Sequence, residues 1–220
     1  MIAAILNLKG GVGKSTLTTN LAVTWNHAGK TVVVVEADPS VFTVSRWSDD
    51  RDAAGLDPIL TMKKTGRVKE ALTGLDEKFD IVIVDLAGKD SPEMRSALTV
   101  ADVALVPSQA TQADIDATID LVEILEQSKD YNEDLAVMVV LSRTSTNPWD
   151  TEAADSRAVL AEHYDMVLKT EIRNRKSFSS SLSDGKGVIE GRDRKAAGEI
   201  TDLADEITTN LTDFKEKING

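Results

Sequence analysis

Two lysines, Lys9 and Lys14, bracket three glycines and stand beside two hydroxyls in the run Lys9-Gly10-Gly11-Val12-Gly13-Lys14-Ser15-Thr16. Glycines leave backbone N–H groups uncovered, so such a run can close around a polyphosphate. Lys14 has the length to reach β- and γ-phosphates, and Ser15 Oγ can ligate Mg²⁺. A metal held there needs a carboxylate, and the apolar stretch Phe79-Asp80-Ile81-Val82-Ile83-Val84-Asp85 ends in one, Asp85. Gly88 follows three residues later, where a small residue lets the backbone approach a γ-phosphate. Another carboxylate, Asp38, follows the apolar Val32–Val35 in Glu36-Ala37-Asp38-Pro39. The chemistry implied is binding, and slow cleavage, of a nucleoside triphosphate with its magnesium.

These groups can meet only if the chain brings several strand ends together. The pattern predicts strands over 2–7, 31–36, 59–62, 80–85, 102–107, 135–141 and 166–169. Helices are expected near 15–28, 41–53, 66–77, 92–100, 112–128, 148–163, 175–184 and 193–218. Val32–Val35, Ile81–Val84 and Val137–Leu141 are apolar without alternation, as in parallel strands covered on both faces. The expectation is one α/β domain over 1–220: a doubly wound, mostly parallel sheet with helices on both faces and ligands at the strands' carboxyl ends. Ser91-Pro92 and Asn147-Pro148 each read as an N-cap followed by Pro at the first helical position, and Thr111 with Asp114 as a further cap. The glycine run with its strand and helix is a P-loop; Val106-Pro107-Ser108-Gln109 and Leu141-Ser142-Arg143 follow or end later strands.

Composition narrows the classes. The chain has 220 residues and no cysteine, which excludes disulfides and cysteine-held clusters. No secretory signal precedes the first strand, and the apolar runs are too short to span a bilayer, so a cytoplasmic protein is expected. His27 and His163 are isolated and are assigned no role. A net charge of −12 argues against general nucleic-acid affinity, but between Lys169 and Lys195 eight basic residues face four acidic ones. That island makes Arg173, Arg175, Lys176, Lys186, Arg192 and Arg194 candidates for DNA contact.

The loop departs from the ordinary Walker A pattern: Leu8 stands where the first glycine belongs, and Lys9 is added. This form resembles the deviant Walker A of the ParA/MinD family of P-loop ATPases. Ala37-Asp38-Pro39 with Trp47-Ser48, Ile83-Val84-Asp85 and Asp184-Gly185-Lys186-Gly187 extend the likeness, which is closest to the small ParA-type partition ATPases lacking an N-terminal helix-turn-helix. The resemblance implies ATP and Mg²⁺ at Lys14, Ser15 and Asp85, base contacts from the segments of Pro107 and Arg143, and a homodimer closed over nucleotide, with Lys9 reaching the partner's phosphates. It also implies catalytic roles for Lys9, Lys14 and Asp38, nonspecific DNA binding by the dimer (hence nucleoid association), and hydrolysis stimulated by a ParB-like centromere-binding protein. Two departures, Glu36 for the family's first Asp and Ser40 for its Gln, leave those two roles open.

Three rivals share the fold: a cargo-positioning ATPase of the same family, a dethiobiotin synthetase-like ligase, and a MinD-like membrane switch. A ligase leaves Lys9 without a task. The last helix carries Ile200, Leu203, Ala204, Ile207, Leu211, Phe214 and Ile218 on one face and acidic residues on the other, which disfavours a membrane surface. A small basic ribbon–helix–helix protein in the next reading frame would select partition.

Overall fold

The first strand, β1 (Ile2–Ile5), runs through the glycine loop into α1 (Lys14–His27), and strand–helix units repeat to the end of the chain. They are β2 (Val32–Glu36), α2 (Thr43–Ala53), β3 (Leu60–Lys63), α3 (Lys69–Asp76), β4 (Ile81–Asp85), α4 (Pro92–Leu98), β5 (Val103–Ser108), α5 (Gln112–Lys129), β6 (Ala136–Thr144), α6 (Glu152–Leu160), β7 (Val167–Arg173), α7 (Lys176–Ser183) and α8 (Arg194–Asn219). The computed structural model describes residues 1–219; Gly220, the last of the expected 1–220 domain, lies outside the described residues.

One seven-stranded sheet runs in the order β3-β2-β4-β1-β5-β6-β7, with every neighbouring pair parallel. Alternation along each strand sorts side chains onto two covered faces. Ala3, Ile5, Val32, Val34, Ile81 and Ile83 pack with Leu17 and Leu21 of α1, Trp47 of α2, Phe178 of α7 and Ile200, Leu203 and Ile207 of α8. Ile2, Ala4, Val33, Val35, Val82 and Val84 pack with Leu72 of α3, Met94 and Leu98 of α4, and Leu121 and Leu125 of α5. The sheet's carboxyl edge gathers the ends of β1, β2, β4 and β6: Glu36 lies in register with Asp85, and Asp85 with Ile5.

Three boundaries differ from expectation. Asn147-Pro148 does not open a helix: Asn147 Oδ1 accepts Trp149 N–H at 3.2 Å, closing a local turn, and Asp150 Oδ1 then accepts Glu152 N–H where α6 starts. The last strand runs four residues further, to Arg173, because Leu168 and Ile172 point into the core while Lys169 and Arg173 alternate outward, an edge-strand pattern diluted by charge. Ile218, assigned to the buried stripe of α8, is 45% exposed, since the helix outruns the sheet. Ser91 and Thr111 cap as expected, accepting Met94 N–H at 3.2 Å and Asp114 N–H at 3.3 Å.

Separate from these, α2 is bolted to the segment before α8. Arg51, 1% exposed, forks onto Glu190 at 2.8 and 2.9 Å, donates to the carbonyls of Asp57 and Gly185, and lies over the Trp47 ring. Trp47 Nε1 donates to Lys186 O at 3.1 Å. The Asp184–Gly187 stretch thus serves α2 through its backbone.

Candidate nucleotide site

A cavity of about 590 Å³ opens at the carboxyl edge of the sheet, and its walls include Gly10, Gly11, Gly13, Lys14, Ser15 and Thr16 together with Asp38, Asp85, Gly88 and Arg143. The loop needs its glycines: Gly13 has φ +100°, a left-handed conformation that a side chain resists. At Gly88 a Cβ would sit 2.9 Å from Gly10 N and 3.1 Å from Lys14 Nζ, so that position must stay bare for the two loops to meet.

Lys14, 9% exposed, donates from Nζ to Lys9 O at 2.9 Å across the loop mouth. Burial lowers its pKa, and the nearby Asp85 and Asp38 charges oppose that shift. Asp85 accepts Ser15 Oγ at 2.7 Å and Thr18 Oγ1 at 3.2 Å. Burial pushes its pKa up to about 6, while Ser15, Lys14 and Thr18 pull it down and Glu36 adds to the rise. A buried carboxylate held by two hydroxyls beside an ammonium is a donor set suited to a hard divalent cation and a phosphate. The cradle and this donor set fit ATP with Mg²⁺.

Asp38 lies on the cavity wall in the loop between β2 and α2. Desolvation penalises its carboxylate, but Ser40 Oγ at 2.6 Å, the N–H groups of Ser40 and Val41, and Lys89 hold its pKa below the ordinary value. Ser40, one of the two departures, therefore bonds to Asp38. Glu36, the other, is buried and accepts Val44 N–H at 2.8 Å and Ser45 N–H at 3.3 Å, capping α2.

Lys9 turns away from the cradle. Its Nζ lies 3.0 Å from Asp114 Oδ1 at the start of α5, with Lys9 37% and Asp114 3% exposed. That oxygen accepts no well-aligned hydrogen bond and depends on the charge contact. Val12 is buried, and its carbonyl accepts Ser142 Oγ at 2.7 Å.

Of the base-site candidates, the structure brings Arg143 to the cavity and not Pro107. Arg143, at φ 52°, donates to Gly11 O at 2.9 Å. Pro107 is buried inside β5, its carbonyl taken by Asn7 Nδ2 at 2.9 Å. Of the six DNA candidates, Arg173, Arg175 and Lys176 border the nucleotide cavity, whereas Lys186, Arg192 and Arg194 lie off it. Arg175 is tied to Glu199 at 2.8 Å, and Arg173 N–H donates to the same carboxylate. Arg192 and Arg194 stand exposed around the start of α8.

Three residues escaped the sequence reading. Asn7 receives Lys9 N–H and ties the loop entrance to β5 and to Thr118 of α5. Thr18 could have been found as the residue one turn after Ser15 on α1. Asn174, on the cavity wall, gave no signal because the end of β7 was placed too early.

The CobQ/CobB/MinD/ParA nucleotide-binding domain profile matches residues 3–188. The chain is 28% identical over 213 residues to the maintenance of carboxysome distribution protein A of Halothiobacillus neapolitanus, covering 93% of this chain and 94% of that protein. It is 25% identical over 249 residues to the sporulation initiation inhibitor protein Soj of Bacillus subtilis, covering 95% and 98%. In fold it is similar to the septum site-determining protein MinD of Pyrococcus horikoshii complexed with Mg-ADP, with a TM-score of 0.75 at 19% identity over 94% of this chain and 95% of that one.

Proposed function

The chain belongs to the CobQ/CobB/MinD/ParA nucleotide-binding domain family, and from that premise we propose that it is an ATP-driven switch that partitions DNA. In this proposal ATP closes two copies face to face, the dimer binds DNA without regard to sequence, and a ParB-like partner triggers hydrolysis and release.

The observation that carries it is the division of labour between the two lysines. Lys14 is buried in the cradle with its ammonium over the loop, ready to exchange Lys9 O for a phosphate oxygen. Lys9 holds its ammonium outside the cradle, half-exposed and paired with Asp114, so that group can be given up to a partner's phosphates. Bound Mg²⁺, held by Ser15 and Asp85, would neutralise charge on the β- and γ-phosphates. Asp38, kept ionised, accepts a hydrogen bond from the attacking water. Because Asp38, with its pKa held low, is a weak base and Asp85 is committed to the metal, turnover alone is expected at roughly 10⁻⁴ to 10⁻² per second.

The test is oligomeric state and DNA binding measured with ADP and with a nonhydrolysable ATP analogue. Dimer and DNA complex should form only with the analogue. Lys9→Ala should bind ATP but stay monomeric; a dimeric variant would remove the trans role.

Positioning of a protein body in place of a plasmid is the second reading, favoured by the likeness to the carboxysome distribution protein over nearly the whole chain. The two readings share the ATP-driven switch and differ in the cargo. Among the described residues no helix is long and apolar enough to cross a membrane.

A further inference from the structure

The loop from β3 into α3 carries a cationic run outside the nucleotide cavity. From Pro58 to Lys69 the chain has no acidic residue, and Lys63, Lys64, Arg67 and Lys69 fall within seven positions. All four are exposed. Among the described residues none has a carboxylate within ion-pairing distance. The Lys169–Lys195 window is more mixed: Arg175 is spent on Glu199, and Glu171, Asp184, Glu190 and Asp193 lie among its cations. In a chain of net charge −12, the β3–α3 run thus gathers four such cations with no carboxylate among them.

This loop is braced on both sides by the segments that leave the site. Gly66 N–H donates to Glu93 Oε1 at 2.6 Å, and Val68 and Lys69 N–H donate to Ser96 Oγ at 3.0 and 3.1 Å. Glu93 and Ser96 belong to α4, which begins just after Asp85 and Gly88. On the other flank Lys63 Nζ lies 4.2 Å from the centroid of Phe42, in the loop that carries Asp38.

We propose that Lys63, Lys64, Arg67 and Lys69 form a docking surface for the phosphate backbone of nucleic acid, set between the two loops that meet the nucleotide. The proposal rests on the DNA reading above and adds a contact surface to it. An acidic protein would need an apolar anchor at the centre of its interface. Between Lys63 and Lys69 the other residues are Thr65, Gly66 and the buried Val68, so the run itself presents no apolar side chain, and the neighbouring Phe42 ring carries Lys63 over it. Lysine, arginine and threonine side chains around a fixed loop are instead the usual contacts to phosphate.

The experiment titrates labelled random-sequence duplex with the full chain and a nonhydrolysable ATP analogue, from about 50 to 200 mM salt. Lys63→Ala/Lys64→Ala/Arg67→Ala should bind at least about tenfold more weakly, with the log–log salt slope shallower by about 2 to 3. Replacing the two lysines by Arg should keep wild-type affinity, and ATP turnover without DNA should be unchanged in both variants. Wild-type affinity and slope in the alanine variant would overturn this surface while leaving the DNA reading intact. Failure of the wild type to bind duplex with any nucleotide would remove both. If the wild type ignored duplex but held poly-glutamate, and the alanine variant did not, the surface would belong to an acidic protein and the proposal would fall.

Discussion

Two carboxylates at neighbouring strand ends meet opposite surroundings. Asp85 closes β4 inside the core, 3% exposed, and burial drives its pKa up to about 6. Asp38, on the loop beyond β2, collects two N–H groups and a hydroxyl within its own turn, and its pKa is lowered. The first is a charge denied water and left short of donors, which a cation completes. The second is held ionised chiefly by its own turn, with Lys89 helping, and needs no bound cation to stay charged. In the proposed function one end of the site attracts metal and the other stands ready, and this difference can be attacked by substitution.

The largest effect is expected at Asp85. A folded pKa near 6, against 3.8 for the ordinary group, means that the folded protein holds this proton more tightly than the unfolded chain. Without ligand, its contribution to stability is fully present below about pH 4 and is lost as pH rises through 6, an order-of-magnitude loss of about 3 kcal/mol. Asp85→Asn should flatten that slope and raise the ligand-free melting temperature at pH 7.5 by about 5 to 10 °C. It should also weaken Mg²⁺-dependent ATP binding by at least about 100-fold, the upper range for losing even an outer-shell partner of a metal. Calorimetric melts across pH and nucleotide titrations check both halves. A variant that binds Mg-ATP normally would place the metal elsewhere.

At Asp38 the loss should fall on turnover. Asp38→Asn is expected to leave ATP affinity within about threefold and lower the hydrolysis rate about 100-fold, the size of a lost water-orienting group. Single-turnover kinetics separate the two quantities. Should affinity collapse together with rate, Asp38 would belong with Asp85 and the contrast would dissolve.

How much of this was legible in the sequence follows the same division. Asp85, Ser15 and Lys14 could be read because local pattern alone places them: an apolar run, a glycine turn and a helix start. The parallel sheet was legible for the same reason, since Val32–Val35 and Ile81–Val84 admit few other fates. The environment of Asp38 was not, because Ser40 supplies a hydrogen bond that no spacing rule announces. Glu36 was visible as a departure but not as a cap, since its partners Val44 and Ser45 lie across a loop. The basic window was read as charge, and charge alone does not reveal that Glu199, from a later helix, already engages Arg175. Long-range pairing is what a one-dimensional pattern omits.

Asp114 extends the contrast to a third carboxylate. Like Asp85 it is buried and leans on a cation for one oxygen, but here the cation is Lys9. If Lys9 must leave this contact to act across a dimer, Asp114→Asn should lower the cost of leaving. A half-exposed ion pair contributes up to about 1 kcal/mol and two such pairs open per dimer, so ATP-dependent dimerisation should tighten by up to about thirtyfold. Sedimentation at a series of protein concentrations measures it. Weaker dimerisation would mean that Asp114 organises Lys9 for the interface.

The smallest effect is expected at Glu36, which stands in register with Asp85 yet serves the loop of Asp38. Phe42, at the N-cap of α2, offers no side-chain acceptor, so the first N–H groups of that helix depend on the Glu36 carboxylate arriving from the sheet. Ser45 Oγ donates to it as well. Glu36→Ala should therefore lower stability by about 1 to 2 kcal/mol, the usual cost of a lost cap, and reduce turnover only a few-fold by loosening residues 37–42. Glu36→Gln keeps one acceptor oxygen while removing the charge that helps raise the pKa of Asp85. Its pH-stability curve should shift toward lower pH even as its cap is weakened, so the net change near neutrality should stay within about 1 kcal/mol. The two variants thus separate capping from charge. If Glu36→Ala impaired Mg-ATP binding as deeply as Asp85→Asn, Glu36 would be part of the metal end, and the line between the two regions would have to be drawn one strand further out.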